Sequence, residues 1–131
     1  MINECQGEIL YTTFLIKGFM MKKTFEMNSL YDFYGEFLTE KQREIFELYY
    51  IDDLSLGEIA EDQNVSRQGV YDNIKRSEHL LTEMEEKLHL LQKQEEKNKT
   101  VTQLKNEIEQ TDIAIEKKET IEGLLDLILR L

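Results

Sequence analysis

From Leu38 to Arg76 the chain (LTEKQREIFELYYIDDLSLGEIAEDQNVSRQGVYDNIKR) carries three helix-length apolar patterns divided by two short breaks. The first includes Ile45, Phe46, Leu48 and Tyr49, the second Leu56, Ile59 and Ala60, and the third Val70, Ile74, Ser77 and Leu81. Spacings of three and four residues gather side chains on one helix face, so each run predicts an amphipathic helix. Each predicted start carries a capping residue. Thr39 with Gln42, and Ser55 with Glu58, fit the capping box, and Ser66 precedes the third run, where its hydroxyl can accept from an orphan amide. Asp52 and Asp53 form the first break. Gln63, Asn64 and Val65 form the second, with Asn64 suited to a left-handed backbone and Val65 expected to plug the gap between the helices. Helix, brief turn, helix over Leu54–Arg76 is the layout of a helix-turn-helix.

Upstream, Met27, Leu30, Tyr31, Tyr34, Phe37 and Leu38 form a wide apolar stripe that predicts a further helix over Thr24–Phe37, with Phe33 off its centre. Downstream, Leu81, Met84, Leu88 and Leu91 follow heptad spacing, and the seam resumes at Val101, Leu104, Ile108, Thr111 and Ile115 after a polar stretch, Glu95–Thr100, expected to act as a hinge. Ile121, Leu124, Leu125, Ile128 and Leu131 predict a short amphipathic helix at the end. These downstream seams cannot be buried alone; they need each other, the globular part or a second copy of the chain, and a homodimer through the helical C-terminal part is expected. The chain is therefore expected to be all-α: a trihelical or four-helix helix-turn-helix domain at residues 22–91, then a long, coiled-coil-like helical extension at 92–131. Residues 1–21, with an apolar patch at Ile9–Ile16, are expected to lie outside the fold as an extension from an early start codon. Asn3, Glu4 and Glu8 are the wrong flank for a signal peptide, and the patch is too poorly basic to suit a membrane-surface strip.

The order LTEKQREIFELYY, SLGEIAE, NVSRQGVYDNIKR resembles the fourth region of bacterial sigma factors, and more closely the small YlxM family of helix-turn-helix proteins. The resemblance runs from about Met27 to about Leu91 and fades beyond it. Its most specific part is SRQ-x-VYDNIKR with the upstream pair Tyr49 and Tyr50. Gly69 departs from it, standing where the family usually has alanine; glycine inside a helix costs ~1 kcal/mol, less near a first turn. The family is linked by gene neighbourhood to the signal recognition particle. The resemblance thus implies a non-enzymatic regulatory protein whose partners are the particle's GTPase, its RNA, or both. The sigma-like motif alone implies a transcription regulator on duplex DNA.

Charge weighs on that choice. The chain has 131 residues and a net charge of −11, and Leu38–Leu80 alone holds five Lys/Arg against ten Asp/Glu. Nucleic-acid affinity comes chiefly from neutralising phosphates, so this module is expected to bind weakly by itself. The candidate binding residues are Ser66, Arg67, Gln68, Tyr71, Asp72, Asn73, Lys75 and Arg76 on the polar face of the last module helix. Arg67, Gln68, Asp72 and Asn73 occupy its first two turns, where a recognition helix meets base edges, with Lys75 and Arg76 placed for phosphates. The alternative is that this face is polar only because it meets solvent.

Other chemistry is not indicated. Cys5 is the sole cysteine, which excludes an intramolecular disulfide and fits a reducing cytoplasm. His79, His89 and Cys5 are too few and scattered for a zinc site. No phosphate loop or hydrolase motif is present, so neither a cofactor nor an enzyme is expected. No apolar stretch reaches the 18 or so residues of a membrane span.

Overall fold

The computed structural model describes the backbone from Glu4 and side chains from Lys17 to Leu131. The described residues are all-α. The chain forms α1 (Glu4–Tyr34), a 3-10 turn (Gly35–Phe37), α2 (Glu40–Tyr50), α3 (Leu56–Asp62), α4 (Arg67–Leu88), α5 (Leu90–Glu109) and α6 (Ile115–Arg130). These divide into two units, one ending at Leu88 and one spanning His89–Leu131.

The first unit closes around α4. Val70, Ile74, Ser77 and Leu81 on α4 are buried with Met27, Leu30 and Tyr34 of α1, Leu38, Ile45, Phe46 and Tyr50 of α2 and its approach, and Ile59 of α3. Phe46 sits between two tyrosines, stacked on Tyr31 at 4.7 Å and tilted against Tyr50 at 4.6 Å. The expected stripe on α1 holds for Met27, Leu30 and Tyr34, but Phe37 is exposed. The change to a 3-10 turn at Gly35 shifts the angular phase, so the next inward residue is Leu38 rather than Phe37. The α-helix also begins well before the expected Thr24. The expectation for residues 1–21 falls in large part outside the described side chains; those from Lys17 to Met21 are exposed on α1.

Local chemistry sets the boundaries of α2, α3 and α4. Both capping boxes form: Thr39 accepts from the Gln42 amide and Ser55 from the Glu58 amide, while Gln42 and Glu58 reach back to the capping residues' own N–H groups. Ser66 caps α4 by accepting from the Gly69 amide at 3.0 Å.

In the second unit, α5 and α6 pack as an antiparallel hairpin around Val101 and Leu125. Lys105 reaches Asp126 across it at 2.7 Å. Two expectations about this part are corrected. The polar Glu95–Thr100 stretch is not a hinge but helix, braced by Gln92 to Glu96 and Gln94 to Asn98 contacts one turn apart. The interruption falls instead at His89, which adopts φ 55° and whose carbonyl accepts from Lys93. The second seam also stops early. α5 ends at Glu109, so Thr111 lies in the connection and Ile115, the first residue of α6, is exposed.

Candidate nucleic-acid or partner interface

The turn between α3 and α4 sets the angle at which the α4 surface is presented. Asn64 takes φ 52°; its N–H reaches the Glu61 carbonyl and that of Val65 reaches the Ala60 carbonyl. This pair of bonds is a Schellman ending with asparagine in the left-handed position usually given to glycine. Val65 does not plug the gap between the helices as expected; it is 41% exposed. The gap is closed by Ile59 and Val70, both fully buried. Gln63 fastens the turn to α2, donating to Glu44 at 2.9 Å and accepting from Lys41.

From this turn α4 projects Arg67, Gln68, Tyr71, Lys75 and Arg76 outward, with exposed Ser66 as its cap and Asp72 half-buried at the edge. Arg67, Gln68 and Tyr71 line a shallow cleft of about 310 Å³ with Leu56 of α3. Asn73 is not part of this surface. It falls on the inward side of α4, and its Oδ1 is buried without a partner. Several outward groups are already engaged. The Gln68 amide donates to Asp72 at 2.9 Å, and Lys75 pairs with Glu78 at 2.8 Å while lying 5.6 Å from the centre of the Tyr71 ring. Among the described residues neither Arg67 nor Arg76 forms an ion pair.

Behind this surface lies a carboxylate that the sequence reading did not single out. Glu78 is 13% exposed and joins three helices: it meets Lys23 of α1 at 3.1 Å, Lys75 of its own helix, and the Tyr50 hydroxyl of α2. Burial pushes its carboxyl up, but hydrogen bonds from Lys75, Tyr50 and Lys23 more than offset this, and its pKa is lowered. Burial and the Glu78 contact raise the Tyr50 phenol well above its usual range. Tyr31, donating to Glu47, is pushed up to about 12, mainly by burial. The spacing of Lys75 and Glu78, three apart on one helix, could have signalled one arm of this cluster. Nothing in the sequence ties Lys23 or Tyr50 to it.

Among the described residues no group of three or more His, Cys, Asp or Glu side chains could hold a metal ion. No described helix is long and apolar enough to cross a membrane.

A capped trihelical core with a Schellman turn leading into an outward-facing helix defines a helix-turn-helix protein. Comparison with known proteins agrees. Residues 21–121 match the family described as "Putative helix-turn-helix protein, YlxM / p13 like" (UPF0122), and the chain belongs to that family. It is 55% identical over 106 residues to UPF0122 proteins of Bacillus cereus (strain AH187), Bacillus anthracis (strain A0248) and Bacillus thuringiensis subsp. konkukian (strain 97-27), covering 80% of this chain and 96% of each relative. The likeness expected to fade near Leu91 in fact continues through α5 into α6. The family is described by its helix-turn-helix and not by an enzymatic activity.

Proposed function

We propose that this helix-turn-helix protein is a non-enzymatic, cytoplasmic regulator in the signal recognition particle pathway, docking on the targeting GTPase, its RNA, or both. The observation that carries the reading is the electrostatic state of the α4 surface. Lys75 is neutralised by Glu78, Gln68 is engaged by Asp72, and Arg67 and Arg76 stand as the unpaired cations. They belong to a unit, residues 1–88, with nine Lys/Arg against eighteen Asp/Glu. Such a body is repelled by bare duplex and attracted to a basic protein or to RNA already coated by one. The family likeness makes the particle, with its basic GTPase and RNA-binding domain, the natural partner.

A transcription regulator on duplex DNA is the second reading. It is favoured by the cleft at the start of α4, where Arg67, Gln68 and Tyr71 converge as recognition-helix side chains do. The two readings part in one experiment. Hydrolysis of GTP by the purified targeting GTPase, with and without its RNA, is followed as the protein is titrated in, with random and operon-upstream duplex as competitors. A saturable rate change that ignores DNA supports the pathway role. An unchanged rate, with salt-sensitive binding to the upstream duplex lost in Arg67→Ala, replaces it with the DNA reading.

A further inference from the structure

The last eleven residues of the chain, Ile121–Leu131, contain seven that are Leu or Ile. Glu122, Asp126 and Arg130 give α6 one polar face, and its Leu and Ile residues spread over an arc too wide for a single neighbouring helix to cover. α5 covers one side: Leu125 is buried against it, and Ile121 and Leu129 are half-buried. The other side is bare. Leu124, Leu127, Ile128 and Leu131 are 58%, 56%, 43% and 91% exposed, and their spacing of three, one and three residues makes a continuous stripe. Gly123 borders the same side, and a Cβ placed there would meet nothing within 4 Å. A glycine inside a helix disfavours it, and no contact among the described residues accounts for this one.

We propose that a second copy of this chain covers the stripe, so that two α5–α6 hairpins pair through their α6 faces into a four-helix bundle. Two observations select this occupant. The hairpin's own buried core among the described residues is Val101 and Leu125 alone, far too little for 43 residues to hold a fixed structure. Doubling the hairpin across a two-fold axis gives each α6 a covered second side, in the packing such hairpins adopt in bundles. The second observation is charge. Residues 89–131 hold seven Lys/Arg against nine Asp/Glu, a balance close to neutral in a chain of −11. Two such hairpins meet with little repulsion, whereas α6, with three basic and four acidic residues, lacks the cationic face that seats a helix on an anionic membrane. This assembly is independent of what the α4 surface binds, and it carries two such surfaces per particle.

The test is sedimentation equilibrium of the full chain from micromolar to hundreds of micromolar. A mass twice the 15.6 kDa of one chain is expected. Leu127→Glu and Ile128→Glu should each raise the dissociation constant at least a hundredfold while the helical signal of the first unit persists. Because these variants could unfold the hairpin itself, hydrogen exchange on the unaltered protein is the second measurement. α6 amides should become more protected as concentration rises, and those of α4 should not. A monomer throughout the range, or a dimer indifferent to both substitutions, overturns the proposal. So does α6 protection that appears only on adding the targeting GTPase or vesicles, since the stripe would then belong to that partner.

Discussion

A Cβ added to buried Gly35 would meet the Tyr31 ring at 2.9 Å, and that ring is stacked on Phe46. The ring would have to shift against that stack, so Gly35→Ala should cost about 1–3 kcal/mol as an overpacked core does, read as a lower urea midpoint with unchanged slope. At Asn64 the constraint is backbone rather than space. With φ at 52°, Asn64→Ala should lose ~1 kcal/mol or more, while Asn64→Gly should be close to neutral. Glu78 makes the first unit sensitive to acid. Its folded pKa lies below the unfolded one, so its contribution is complete above the ordinary carboxylate range and disappears as pH falls through the lowered folded value. Tyr31 works in the opposite sense: its raised pKa favours the fold below pH 10.0 and is lost as pH climbs toward about 12. Thermal midpoints should therefore fall at both extremes, and Glu78→Gln should flatten the acid limb while also lessening the part of the alkaline limb that Tyr50 carries through its Glu78 contact.

At the scale of elements, helix starts were the most legible feature because their determinants are contiguous. Thr39, Ser55 and Ser66 each act within three residues, and the structure keeps all three caps. Removing one, as in Ser66→Ala, should cost about 1 kcal/mol and fray the turn that carries Arg67 and Gln68; loss of amide protection at Gly69 would report it. The break at His89 was not legible. No glycine, proline or asparagine marks it, and a heptad pattern running through Leu88 and Leu91 argues for continuity. The polar Glu95–Thr100 stretch misled in the other direction, since its two glutamates and two lysines are good helix formers even without an apolar seam. The inward turn of Asn73 was equally hidden. It lies beside Ile74 and one turn from Ser77, and only the packed helix assigns it to the core side. The Glu78 cluster draws on residues 23, 50, 75 and 78, a separation that no local pattern spans.

For the molecule as a whole, the uneven split of charge between the two units is the dominant property. If nucleic acid is bound through Arg67 and Arg76, the affinity should fall with salt at a slope of only about −2 on a double-logarithmic plot, roughly −0.9 for each phosphate contact. A steeper slope measured by fluorescence anisotropy would require cations beyond this surface. Docking on a basic protein would instead slow as salt rises, chiefly in the association rate.

The hydrogen bond from Tyr34 to Glu85 joins residues 51 apart, whereas the contacts among α2, α3 and the start of α4 join elements much closer in the chain. Entropy makes the near contacts form first and the distant one late. In time rather than space, this separation predicts α2, α3 and the first turns of α4 as the nucleus, and the clasp of α1 on the far half of α4 as the closing step. Substitutions at Ile59 or Val70 should slow folding, while Tyr34→Phe should chiefly hasten unfolding, so the residue that completes the core also governs how long it stays shut.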